Sequence, residues 1–494
     1  MQICYSWIMS LFFFLFFIFS ARAAPLFDTT NLERRSSNST STTQVLGWVS
    51  SPDGRGTIDI VWSCVFTTFL CSWSVLCLNV PALGDGPWHM FRRKIYLSGL
   101  AVIGPEFLFQ IALGQWISAR RSVKEFKASG YSGWTINHAF FADMGGFRLY
   151  TRDWVPFPVN AKQLHYLIVK GYVQYPNIDK QVIGDKNKMD GLVRVITTLQ
   201  TLWFVINSLA RVAQHLMLTV FELTTLGFIV CTIGTTFCWG HKPSDVAYAI
   251  NIESNATIAE ILLEAGDAAK DPYSRTPLDF VSRKEWPWSM FWSNWVNILR
   301  RMHIIFDPGV RPVNRRTNDE FLDLSKSPLA VLFLFQTTYA GILLCGWNFW
   351  FPTPVEHLLW RIATVMIMTS ICSYWVVEMV VFRILPAMKK RLSHHIAHAT
   401  SWDTSKRTKR VPHRFEKSRI GKKARSVVRA LRNNSLQKDP ALEIPLKALL
   451  PVYLVAVCYC TSRTYVLLAD VVEMRRLPPS AFATVNWSQF FPHF

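Results

Sequence analysis

The chain has 494 residues, half of them hydrophobic and only 17% charged, against ~25% charged in an average soluble protein. Its apolar residues come in blocks long enough to cross a bilayer, which excludes an ordinary soluble multidomain chain. The formal charge of +20 invites a nucleic-acid reading, but most of the excess falls in one loop between apolar blocks, where cytosolic charge is retained, so nucleic acid is set aside as a partner.

Residues 1–23 read as a signal peptide. Residues 8–19, "IMSLFFFLFFIF", form an apolar core of signal length, and Ala21 and Ala23 offer a small-residue cleavage site. No Lys or Arg precedes that core, so an uncleaved anchor is the alternative. Residues 24–56 follow as a polar extracytoplasmic segment with an N-glycosylation sequon at Asn38, and "SPDGRG" (51–56) places a turn ahead of the first span.

Seven further apolar blocks reach bilayer length, at roughly 57–78, 96–117, 192–210, 216–238, 328–349, 358–384 and 448–470. Backbone groups in lipid must be satisfied within the segment, so these are expected to be helices. The expected fold class is all-α: a polytopic helical membrane protein with about seven membrane-embedded helices plus short interfacial ones. Its parts are helices one and two (57–117), a polar loop (118–191), helices three and four (192–238) and a polar loop with amphipathic helices (239–327). Helices five and six (328–384), a basic cytosolic loop (385–447), helix seven (448–470) and an aromatic tail (471–494) complete it.

Charge does not settle the topology of these spans. The loop 385–447 carries 17 Lys/Arg against four Asp/Glu, and "FRRK" (91–94) and "SARRSVKEFK" (118–127) are also basic, so all three should be cytosolic. The last two flank a single block, and a full span would part them. That block contains Gly104-Pro105-Glu106, and proline breaks or kinks a helix. Either the block is re-entrant, entering and leaving on one face while buried in protein, or it is an ordinary kinked span with an atypical loop.

The loops between spans carry three signals. "NATIAEILLEAG" (255–266) reads as a short helix with Asn255 as its cap or as a sequon. "EWPWSMFWSNWVNILRR" (285–301) repeats Trp288, Trp292, Trp295 and Leu299 on one face, as in a helix lying in the interface or packed onto another part of the protein. "IGKKARSVVRALR" (420–432) places Lys422, Lys423, Arg425, Arg429 and Arg432 around an apolar face, suited to anionic lipid, to a solvated loop, or to a protein partner.

The ten cysteines fall in apolar segments and read as buried thiols rather than disulfides or a zinc site. "HHIAH" (394–398), with His394, His395 and His398, is one histidine box where a membrane di-iron centre needs several. No phosphate loop, nucleophile elbow or zincin motif appears. An enzyme is therefore the least favoured reading, and no catalytic residue, metal or cofactor is expected. The stronger signal is ionisable residues at membrane depth, which face the bundle and find a partner: Asp59, Glu106, Glu222, Arg361, Glu378 and Arg463. Arg463 is expected to meet Glu106, with Glu222 and Glu378 as rival partners, either on a solute path or as a staple between helices. Asn486 adds a third sequon.

"GWVSSPDGRGTIDIVWSC" (47–64), "PEFLFQIALGQWISARRS" (105–122), "HAFFADMGGF" (138–147), "LQTLWFVINSLAR" (199–211), "FPTPVEHLLWR" (351–361) and "LPPSAFATVNWSQFFPH" (477–493) resemble a group of fungal multi-span membrane proteins of unassigned function. The resemblance implies a filamentous or mushroom-forming fungal source and brings no site residues. The expected function is transport or sensing of a small solute or ion in the plasma membrane or secretory pathway. A receptor or scaffold with a lipid-binding loop is the alternative.

Overall fold

The computed structural model describes residues 46–50, 54–176, 188–244, 246–273, 275–282, 287–302, 311–384, 388, 432–433, 444 and 446–490. The signal segment, Asn38, His394, His395, His398, Lys422, Lys423, Arg425 and Arg429 lie outside the described residues. Two units divide the chain: Met1–Arg283 with Arg311–Met368 and Cys460–Phe494, and Lys284–Val310 with Thr369–Tyr459.

The described residues are mostly helical, and six helices are long and apolar enough to cross a membrane: Thr57–Ser74, Leu192–Ala213, Val220–Cys238, Lys326–Asn348, Pro354–Val380 and Leu449–Arg475. Helix α1 (Thr57–Phe69) opens the first unit and continues as a π-helical turn, Leu70–Ser74. Helices α2 (Pro87–Ile103) and α3 (Pro105–Ala128) share the block that holds Pro105. Pro105 takes the first position of α3, where its missing N–H costs nothing, and the residue before a proline is pushed away from helical geometry. Gly104 accordingly sits at φ −149° and ψ 85°, and the two helices bend by 115°.

Further along lie α4 (Ile136–Asp143), α5 (Ala161–Val169), α6 (Lys188–Ala213), α7 (Val220–Cys238), α8 (Ile258–Ala265) and α9 (Asp279–Ser282). Between residues 220 and 238, 83% of the window is buried, against 50% or less in the other five candidate spans, so α7 is the core of the bundle. It packs on α1, α3, α6 and α11 (Lys326–Cys345). Gly234 lets α7 approach so closely that an added Cβ would stand 2.7 Å from ring carbons of both Phe109 and Phe335.

Hydrogen bonds sort the helix ends into two groups. At one end Leu46 pairs with Leu477 in both directions, and Arg211 at the end of α6 reaches the carbonyls of Ala481 and Ala483. The N–H of Val220, which starts α7, donates to Glu473 at 2.9 Å. At the other end the Val80 N–H donates to the Met144 carbonyl at 3.1 Å, Asn79 bonds Asn318 and Thr317, and Arg315 pairs with Asp85. The stretch before α2 and the stretch after α3 therefore meet at one end of α7, so α2 and α3 form a hairpin with its bend inside the bundle.

A small sheet, order β2-β1-β3, joins that second end. Strand β1 (Phe147–Tyr150) pairs antiparallel with β2 (Phe157–Val159) and parallel with β3 (Ile250–Glu253), Phe147 facing both Val159 and Ile250. The all-α expectation omits this sheet. Strands of three or four residues show too few alternations to read, and the β1–β3 pairing joins residues about a hundred positions apart. Thr257, not Asn255, caps α8, its Oγ1 accepting from the Glu260 N–H; exposed Asn255 donates its N–H to the Tyr172 carbonyl instead.

In the second unit α10 (Pro287–Arg301) forms as expected, and Trp288 and Trp295 of its stripe pack on protein, the second of the two readings of that stripe. The Trp288 ring lies 4.4 Å from Tyr374 and Trp295 4.6 Å from Tyr453, and Phe291 is buried with Ile444 and Leu449. Half-buried Arg432 accepts the Ile444 N–H through its carbonyl. The nine described cysteines are free thiols; Cys345 and Cys458 are half-buried, and Cys372 and Cys460 are exposed on helix faces.

Candidate functional site

The buried charges gather along α7 and along the first-unit part of α13, which runs Leu446–Val472. The Thr219-Val220-Phe221-Glu222 start of α7 is a capping box, in which the Thr219 N–H donates to Glu222 Oε2 at 2.9 Å and Thr219 Oγ1 accepts the Glu222 N–H. Buried Glu222 is also paired with Arg55 from the turn before α1. Its partner is thus Arg55 and not Arg463. Glu473 adds a second carboxylate at the same helix start through the Val220 N–H, where the helix dipole favours negative charge. Arg211 closes this end: it is 1% exposed and donates to the carbonyls of Met217, Ser480, Ala481 and Ala483 at 2.7–3.3 Å.

One turn deeper Thr224 donates to Asp470 at 2.9 Å. Arg463, two turns back from Asp470 on α13, is fully buried and donates to the carbonyls of Ile103 (Nε, 3.2 Å) and Val102 (3.4 Å). Those are carbonyls that the end of α2 leaves without helical partners, and in an apolar interior each would cost free energy if unpaired. The guanidinium also lies over Phe228 and Tyr339, 5.0 and 5.5 Å from their ring centres. Fully buried Glu106 follows three residues beyond Ile103, in the first turn of α3. Glu106 and Arg463 both act electrostatically on Cys231 and Tyr339. Cys231 stands about 16 Å along a helix of about 28 Å, so Arg463 and Glu106 come to one region halfway down α7.

Asp470 Oδ2, Glu473 Oε1 and the Tyr339 hydroxyl are buried without a hydrogen-bond partner. Such atoms call for a proton, ion or water to satisfy them. Below Glu106, α3 continues with Gln110, facing Gln336 at 3.4 Å, and Gln115, whose Oε1 accepts from Trp239 Nε1 at 3.0 Å and Lys242 Nζ at 2.9 Å. Lys242 is 1% exposed and lies over the Trp239 ring. Burial pulls its ammonium down to about 8, against an upward pull from Cys77 and Asp143. In the adjoining layer burial raises the Glu320 carboxyl, but Arg275 and Arg316 outweigh it and hold the group at about 2.

Three expected site residues stand elsewhere. Asp59 is exposed and accepts the Gly56 N–H at 2.8 Å as a first-turn cap of α1, because α1 begins only two residues earlier. Arg361 is half-buried near the start of α12 (Pro354–Val376), donating to the Trp347 carbonyl at 2.9 Å. Glu378 belongs to the second unit, where Arg383 Nε (2.7 Å) and Trp288 Nε1 (2.8 Å) hold it. Exposed Asn486 is bonded through its backbone to the Gln214 side chain. Sequence alone does not single out Arg55, Glu473 and Lys242, since each stands just outside an apolar block. The capping-box signature was the readable sign of the role of Glu222.

Among the described residues no three His, Cys, Asp or Glu side chains are grouped so as to hold a metal ion. Residues 27–265, from ahead of α1 through α8, match a family of unknown function (DUF8562). No curated protein and no solved structure matches the chain.

Proposed function

We propose that the protein is a multi-pass integral membrane protein that passes or senses a proton or small solute through the first unit. Its six long apolar helices would span the bilayer, with the α2–α3 hairpin re-entrant. Leu46, the α6–α7 turn and the tail after Leu477 would lie on the extracytoplasmic side. The basic stretches 91–94, 118–127 and 385–447 would then all be cytosolic, as retained positive charge requires. This arrangement removes the conflict that seven full spans create.

The observation that carries the functional reading is the charge balance of the buried column. In the half of the column nearer the start of α7, buried Glu106, Glu222, Asp470 and Glu473 are four carboxyls against the guanidiniums of buried Arg211 and Arg463 and half-buried Arg55, while the Lys242 ammonium lies past the far end of α7. A net charge is costly at membrane depth, so such a column favours one bound proton or cation. The break at Gly104 supports the same reading, because it brings a helix start and Glu106 to the middle of the bundle, as interrupted helices in transporters do, while Arg463 holds the freed Val102 and Ile103 carbonyls. The sheet layer favours a second reading, a receptor or scaffold, since it offers a folded surface beyond the helix ends.

Reconstitution into liposomes with an internal pH dye and an imposed gradient tests the proposal. Proton-linked flux is expected from wild type and its loss from Glu106→Gln and Asp470→Asn. Wild-type liposomes as tight as empty ones would overturn passage, and unaltered flux in both variants would overturn the role of the column.

A further inference from the structure

A cavity of about 160 Å³ opens between the π-helical turn after α1, the first half of α6 and the last turns of α7. That is room for about five waters at ~30 Å³ each. Six hydroxyl side chains line it: Ser74, Thr197, Thr198, Thr201, Thr232 and Thr236. Five of them already donate to their own helices. Thr197 Oγ1 bonds the Val193 carbonyl at 2.9 Å, Thr198 that of Arg194 at 2.8 Å, and Thr201 that of Thr197 at 2.9 Å. Thr232 bonds the Phe228 carbonyl at 2.8 Å, and Ser74 bonds that of Leu70 while meeting Thr197 Oγ1.

A hydroxyl that has given its proton away keeps acceptor lone pairs. Besides the Thr236 hydroxyl, two further polar groups line the wall, and both are engaged. Trp239 Nε1 is held by Gln115, and the Arg194 guanidinium turns to the carbonyls of Gly240 and Lys242 and to the sulfur of Cys77, at the end of α7. Among the described residues no carboxylate lines the space, so a cation finds no counter-charge there. An anion, which only accepts, meets five hydroxyl oxygens that have already given up their protons, and the Arg194 charge is turned toward the carbonyls past the end of α7. The matching ligand is neutral, donates hydrogen bonds and carries carbon that can rest on threonine methyl groups.

We infer that this cavity binds a small uncharged polyhydroxylic molecule. The inference deepens the proposed passage by naming a solute class. Its position suits that role, because it is walled by α7, the helix along which the buried charges gather.

Saturation-transfer NMR on the full chain in detergent micelles tests binding, with glycerol, methylammonium and inorganic phosphate as probes. Glycerol is expected to bind, and to bind about tenfold more weakly (~1.4 kcal/mol) to the near-isosteric Thr232→Val and Thr197→Val proteins. Gly99→Ala, in α2 and meeting nothing within 4 Å, should leave it unchanged. Equal glycerol transfer to wild type and both threonine variants would overturn the inference. So would binding of phosphate or methylammonium in place of glycerol. Specific glycerol binding without flux in liposomes would uphold the cavity and sink the conduit.

Discussion

The Arg463 side chain donates to the backbone carbonyl of Ile103 across 360 positions of sequence, at 3.2 Å. A residue in one apolar helix thereby completes the broken end of another. The bent hairpin can stay in an apolar interior because the carbonyls freed at Gly104 find this partner.

Replacing that partner should be costly. Arg463→Met leaves the Val102 and Ile103 carbonyls unbonded and removes the positive charge from the region of Glu106. A loss of about 3 kcal/mol or more is expected, as when one member of a buried charged pair is deleted. Thermal unfolding in detergent reads it, and an unchanged midpoint would show that the hairpin does not depend on the guanidinium. Arg463→Lys should recover part of the loss, since a point charge cannot reach two carbonyls with a planar fork.

Arg211 ties the tail to the helix ends through carbonyls at 480, 481 and 483. In Arg211→Gln the segment 477–490 should exchange amide hydrogens faster while the centre of α7 keeps its protection, since local opening follows the loss of local bonds. Hydrogen-exchange mass spectrometry distinguishes this from global destabilisation. Equal protection of the tail in both proteins would count against the anchoring role.

Lys242 makes a pH-dependent contribution of defined sign. Its ammonium is held at about 8 in the fold and near ~10.4 in the unfolded chain. Between those values the unfolded state binds more protons, so stability should rise with pH from about 8 toward ~10.4 and be flat, for this group, below about 8. Lys242→Met should abolish that slope. It should also leave stability at pH 7 equal or higher, because Gln115 Oε1 keeps its bond from Trp239 and a buried charge has been replaced by an apolar side chain. A clear drop in the midpoint at pH 7 would mean the ammonium is held by more than Gln115 and the indole ring.

Two glycines separate close packing from mere helix propensity. Gly234→Ala drives a methyl group into Phe109 and Phe335 and should cost about 1–3 kcal/mol, as overpacking does. Gly99→Ala, in α2, meets nothing within 4 Å and should be neutral or stabilising by up to about 1 kcal/mol. If both variants melt alike, α7 does not approach α3 and α11 through Gly234.

The long helices were legible because a run of about twenty apolar residues identifies itself by length alone, whatever surrounds it. The break at Gly104-Pro105 was legible for the same reason: its chemistry is complete within four residues. The capping box at Thr219–Glu222 is as local, but Glu222 was expected only as a buried charge in search of a distant partner. Partner choice was not. Glu222 meets Arg55, the Val102 and Ile103 carbonyls meet Arg463, and β1 meets β3 across distances of about 100 to 360 residues, and no local pattern encodes which distant group arrives. The amino-acid order alone therefore determined that this chain builds long apolar helices and hides charges among them. The tertiary structure decided which charges share a pocket and that α2 and α3 turn back on themselves, because burial forces each polar group to find a partner and only the packed fold supplies it.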